Sequence, residues 1–292
     1  MSKFKEALKS GQFVVTSEVG PPKGVNINKC LDEAESIKKR VIAFNVTDLQ
    51  SAVMRFGSLA TCRLLLERGM EPILQMTCRD RNRLALQSDL LSAYGLGIEN
   101  VLCLTGDHQQ LGDHQESKGV FDLDSVQLLE AAKTLEQGKD LAGHELDGSP
   151  EFFLGAVATP EFDPLELHIV KLQKKVEAGA SFFQTQAVYD TEKFKQFVKQ
   201  IRSLNVPVMA GIVILKSAGM ARYMNENVAG VNVPEQLIEQ LKKDKQKAKS
   251  GQMGIEIAVG IIKEIKDSCN GIHIMALGWE DKIPTILDES GL

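Results

Sequence analysis

The feature that most limits what this chain can become is a rhythm: short β-rich runs alternate with helical patterns from one end to the other. Residues 13–19 read as a first strand, stopped by Gly20-Pro21-Pro22, which cannot continue a hydrogen-bonded ladder. Further strands are expected at 41–47, 72–78, 100–105, 152–158, 181–188, 206–214 and 271–276. Between them, helical patterns cover 28–40, 59–68, 82–94, 124–137, 164–178, 192–203, 217–249 and 252–266, with Asn28 expected to cap the first. A polar loop (106–119) and a linker rich in Gly and charge (138–150) carry neither pattern.

Eight strands, each followed by a helix, predict an α/β fold, a (β/α)8 TIM barrel, with residues 1–292 forming one catalytic domain. An open doubly wound sheet usually stops at about six strands and carries a Gly-rich phosphate loop after its first. Here that loop is Gly20-Pro21-Pro22-Lys23-Gly24, with prolines where such a helix would start. The mild net charge of −5 argues against nucleic acid or an anionic membrane as the main partner. Cys30, Cys62, Cys78, Cys103 and Cys269 show no C-x-x-C spacing, which fits a reducing cytoplasm. His108 and His114 alone sit near ligand spacing, in a polar loop, so no metal site is expected. Neither a signal-like apolar start nor a run of ~18 apolar residues is present, and the expected location is cytoplasmic.

Barrel enzymes build their sites at the C-terminal strand ends. Reading those ends in turn collects Glu18, Thr47 with Asp48, Thr77 with Cys78, Gly106 with Asp107, Thr159 with Glu161, and Gln184 with Gln186. Glu18 lies in an apolar run, where lost hydration would raise its pKa toward the range of a general acid. The competing reading is a rim glutamate paired to Lys23. Asp107 opens the long polar loop, and Gly106 would let backbone approach a ligand; Gly-Asp also serves plain turns. Gln186, with Gln184 on the same face, offers the paired donor and acceptor that suit a heterocycle such as a pterin, or else satisfies nearby backbone. Lys174 and Lys175 could reach a phosphate or simply meet solvent. His168 and His273 are assigned no catalytic role.

Together these strand ends resemble the methylenetetrahydrofolate reductase family. The resemblance rests on Ser17-Glu18-Val19-Gly20-Pro21-Pro22, Asn45-Val46-Thr47, Met76-Thr77-Cys78, Leu104-Thr105-Gly106-Asp107, Ala158-Thr159-Pro160-Glu161, and Lys174-Lys175-Val176-Glu177-Ala178-Gly179-Ala180 leading into Thr185-Gln186. Each motif is weak alone; six in register over almost the whole chain are specific. The resemblance implies FAD as cofactor and methylenetetrahydrofolate as substrate, within one-carbon metabolism and methionine biosynthesis. It implies Glu18 as the general acid that opens the methylene bridge, Asp107 beside flavin and folate, and Gln186 and Gln184 positioning the folate. Thr47, Thr77, Thr105, Gly106, Thr159, Lys174 and Lys175 would fall along the flavin, the lysines near its phosphates.

Several positions depart from the family pattern: Thr105 where many members have arginine, Thr159 where many have tyrosine, Gln75 where many have histidine, Ala187-Val188-Tyr189 in place of an aromatic run, and the ending Leu277-Gly278-Trp279-Glu280-Asp281. By the resemblance these would fall on flavin contacts and on the nicotinamide face, so the expected electron donor is NAD(P)H or a partner subunit, in a homo-oligomer or a hetero-complex. The short chain resembles reductases of anaerobic one-carbon pathways. The alternatives are a pterin-binding methyltransferase-type barrel, which needs no flavin and no acid at Glu18, and a non-catalytic scaffold subunit.

Overall fold

The computed structural model describes residues 2–243 and 245–292. Eight parallel strands close into a barrel in sequence order: β1 (Val14–Val19), β2 (Ala43–Val46), β3 (Pro72–Thr77), β4 (Asn100–Leu104), β5 (Phe153–Ala158), β6 (Phe182–Ala187), β7 (Val208–Val213) and β8 (Gly271–Met275). Closure is made where β1 pairs with β8, Thr16 lying opposite His273. The predicted barrel is thus the observed one, with strand ends within a residue or two of expectation.

Side chains alternate across each strand, so one residue in two enters the barrel. Val14, Ala43, Ile73, Leu102, Phe153, Phe182 and Met209 fill its lower interior as one buried cluster. The other faces meet the surrounding helices in a second, larger cluster. No helix among the described residues is long and apolar enough to cross a membrane.

Two helices escape the periodicity argument. Helix α1 (Lys3–Lys9), only two turns long, is started by Ser2, whose Oγ accepts from Lys5 N–H at 3.0 Å. It plugs the N-terminal end of the barrel: Phe4 is fully buried and meets Phe153 and Phe182 edge-on, at 5.6 and 5.1 Å between centroids. At the other terminus, Ile283–Ser290 forms the helix after β8.

Two expectations need correction. The helix after β1, Asn28–Ile37, begins without a side-chain cap, and Asn28 is its first helical residue rather than its cap. The stretch expected to be continuous over 217–249 is broken into Ala218–Asn227, Glu235–Lys243 and Lys245–Ser250, with Asp244 outside the described residues. Gly230 at φ 77° and Pro234 interrupt it, and the Asn225 side chain closes the gap by bonding both N–H and C=O of Val233.

Candidate active site

The mouth sits above a polar tier of which the sequence offered only Gln184 as a site residue. Thr16, Asn45, Gln184 and His273 project inward from β1, β2, β6 and β8, all of them buried. Thr16 Oγ1 lies 3.0 Å from His273 Nδ1, and Asn45 Nδ2 donates to Gln184 Oε1 at 2.8 Å. Burial pulls the His273 pKa down to about 3, so the ring is neutral. Its Nε2 and Asn45 Oδ1 have no partner among the described residues. A strand histidine looks the same in sequence whether it faces helix or barrel axis, which is why the inward place of His273 was not legible.

Glu18 is one position above Thr16 on the same face, at the end of β1. Loss of hydration pushes its carboxyl from 4.5 up to about 7; the Gln50 amide, 3.5 Å away, and Arg55 oppose the shift, while the Glu280 charge adds to it. All four residues line a pocket of about 320 Å³. Lys23, the bland alternative partner, is instead paired with Asp113. A cavity of about 560 Å³ at the opposite end of the barrel is larger, but Ser2 and Asn100 there already bond Glu71, and the strand C-termini lie elsewhere. The chemistry belongs at the mouth.

Beside Glu18, Thr47 is buried, and its Oγ1 has no partner among the described residues. Thr77 is engaged: its N–H and Oγ1 both donate to Asp48 Oδ2 at 2.9 Å, and Arg81 clamps the same carboxylate. Thr105 accepts from Ser125 N–H at 3.1 Å, at the start of the following helix, Ser125–Glu136. Gly106 adopts φ 93°, where a Cβ would also crowd Thr77 Cβ at 3.1 Å and Arg79 Cβ at 3.2 Å. Asp107 is exposed, and its carboxylate takes no partner among the described residues.

Gln186 is aimed by an irregularity. The β6–β7 register shifts between Gln184 and Ala187, and the Thr185 hydroxyl fills the break, donating to Gln186 C=O at 2.8 Å and accepting from Gly211 N–H at 3.0 Å. The bulge comes so close to β7 that a Cβ on Gly211 would lie 2.5 Å from Thr185 O. Gln184, by contrast, belongs to the polar tier below. Thr159 N–H donates to His168 Nε2 at 2.8 Å, which gives that buried, neutral histidine a structural task. The two lysines, on the last turn of helix Leu165–Glu177, diverge: Lys174 is exposed, whereas Lys175 is buried and donates to Val157 C=O at 2.6 Å. Burial, and then the nearby Lys171 charge, pull the Lys175 pKa down to about 8.

Fold and mouth together define a (β/α)8 barrel with a carboxyl able to hold its proton near neutrality. The family model described as methylenetetrahydrofolate reductase matches residues 3–291, and the chain belongs to that family. It is 30% identical over 267 residues to "Methylenetetrahydrofolate reductase 2" of Schizosaccharomyces pombe, covering 81% of this chain but 39% of that protein. It is 24% identical to "5,10-methylenetetrahydrofolate reductase" of Salmonella typhimurium, covering 91% of this chain and 87% of that one. Among solved structures, a Clostridium thermocellum protein that binds two copies of 5-methyl-5,6,7,8-tetrahydrofolic acid superposes with a TM-score of 0.67 at 16% identity, over 98% of this chain and 97% of that one.

Proposed function

We propose that residues 1–292 form one catalytic barrel that reduces 5,10-methylenetetrahydrofolate to 5-methyltetrahydrofolate, using bound FAD. The observation that carries this reading is Glu18: a carboxyl with a pKa near 7, at the mouth of a barrel whose family is named for that reaction. The ligand of the C. thermocellum neighbour supports the folate part.

Residues present at the mouth suit a flavin. Thr47 has a buried hydroxyl with no partner among the described residues, and Gly106 keeps clear the space that a Cβ would fill. We assign Thr47, Thr77, Thr105, Gly106, Asp107, Thr159, Lys174 and Lys175 to holding it; Thr105 and Lys175 would exchange their present partners, Ser125 N–H and Val157 C=O, for cofactor atoms. When bound, the flavin supplies hydride. Everything else falls to the chain. Glu18, protonated near neutral pH, gives its proton to the folate nitrogen and opens the methylene bridge to an iminium. The free Asp107 carboxylate and the Gln186 amide hold the pterin by its donor and acceptor edge. Gln184, held by Asn45 in the tier below, would meet the folate from beneath. Electrons come from NAD(P)H or a partner subunit, in the cytoplasm.

The test is the visible spectrum of the purified protein before and after anaerobic addition of methyltetrahydrofolate. Flavin bands that bleach support the reading. A colourless protein that stays so when FAD is supplied overturns it and favours the pterin-binding methyltransferase-type barrel.

A further inference from the structure

Arg79 is the largest of the fully buried side chains, with only 2% of its side chain exposed, and it sits just past β3 at the mouth. Its guanidinium is divided among three elements. Nε and Nη2 grip Asp80 at 2.9 and 2.7 Å, Nη2 also donates to Leu49 C=O at 3.1 Å, and Nη1 donates to Asp107 C=O at 3.2 Å. Its own carbonyl accepts from Val120 N–H at 2.7 Å, where the long loop after β4 returns. A planar fork with several donors can serve the loops after β2 and β4 at once; a lysine ammonium cannot copy that geometry.

What the two loops carry makes this clamp matter. Leu49 precedes Gln50, whose amide faces Glu18, and the segment is contorted: Leu49, Ser51 and Ala52 all have φ between 47° and 58°. Such backbone persists only where surrounding contacts over-determine it. Asp107 heads the other loop. Nearer solvent the same seam is closed by Asp113, which accepts from Met54 N–H at 3.1 Å and pairs with Lys23.

We propose that Arg79 is a positioning residue that joins the loops after β2 and β4 from beneath, holding Gln50 against Glu18 and Asp107 at the rim. It touches neither Glu18 nor a reacting atom; it acts through the Leu49 and Asp107 carbonyls. The proposal takes its functional meaning from the reductase reading above, but its test does not.

The test is a direct titration of the Glu18 carboxyl by NMR of protein labelled with 13C at glutamate Cδ, the Glu18 signal being identified by its loss in Glu18→Gln. The Gln50 N–H stabilises the ionised carboxylate, so Gln50→Ala should move the Glu18 midpoint up by roughly half a unit, the scale of one weak hydrogen bond to a charge. Arg79→Met should move it the same way, and adding Gln50→Ala to Arg79→Met should add nothing further. Asp113→Asn, which loosens only the exposed part of the seam, should leave the midpoint in place. A Glu18 midpoint unchanged in Arg79→Met, or shifts from Arg79→Met and Gln50→Ala that simply add, would overturn the proposal. Should Arg79→Met show no cooperative melt, Arg79→Lys replaces it: it keeps a charge opposite Asp80 but cannot span both carbonyls, and it must shift Glu18 upward for the proposal to stand. A wild-type chain without reductase activity would sink the functional reading and leave this titration fully informative.

Discussion

Replacing Glu18 by Gln tests the reading at its centre, because the substitution keeps shape and removes the proton. With a pKa of about 7, roughly half of the wild-type carboxyls carry a proton at pH 7, and about a tenth at pH 8. The wild-type rate of the folate half-reaction should therefore fall about tenfold per unit above pH 7. Glu18→Gln should lose roughly 10² to 10⁴-fold at pH 6–7 and show no further decline above it. The assay is anaerobic stopped-flow oxidation of the photoreduced flavoprotein by methylenetetrahydrofolate.

The same residue makes a second prediction that needs no substrate. A carboxyl whose pKa rises from 4.5 to about 7 on folding contributes stability that is complete below pH 4.5 and is lost as pH climbs through 7. At about 1.36 kcal/mol per unit, its ionisation costs the native state about 3 kcal/mol at pH 8. Glu18→Gln escapes that cost. The variant should melt several degrees above wild type at pH 8, and the gap should close near pH 4. Parent-rate turnover by Glu18→Gln would refute the catalytic role. A melting difference independent of pH would refute the raised pKa of this half-buried carboxyl itself.

Three other outcomes follow from the geometry. Glu280→Gln removes the charge that helps raise Glu18, so the falling limb of the pH–rate profile should move to lower pH, with the rate at pH 6 nearly unchanged. Gly211→Ala forces a Cβ against the Thr185 carbonyl at the bulge; the folate KM should rise while flavin binding persists, as read from steady-state kinetics and the visible spectrum. Phe4→Ala empties the plug at the far end of the barrel and should cost roughly 3–5 kcal/mol in denaturant unfolding, with the flavin spectrum of the folded fraction unchanged.

How far the sequence could be read depended on whether a feature was local or required the closed barrel. Strand alternation is local, and so all eight strands were legible, whereas the Asp124 cap of the helix that follows the long loop was not read from the sequence and the expected Asn28 cap does not form. The short α1 helix carries too few turns for its periodicity to stand out, yet Phe4 meets Phe153 and Phe182 more than a hundred residues away. The site divides in the same manner. Glu18, Asp107 and Gln186 stand at strand ends, which any barrel brings to one mouth. Their supports do not announce themselves in that way: Gln50 reaches Glu18 from a contorted loop, Thr185 fills a bulge, and Arg79 in Cys78-Arg79-Asp80-Arg81 reads as one more solvated charge until its carbonyl partners appear. Buried arginine is costly unless every donor is used. Each group on the Arg79 guanidinium that bonds does so to a loop carrying a proposed site residue or to Asp80 beside it. The groups that surround the Glu18 carboxyl and tie its loops together are thus spread over segments that meet only when the barrel closes, contacts that no strand-end motif encodes.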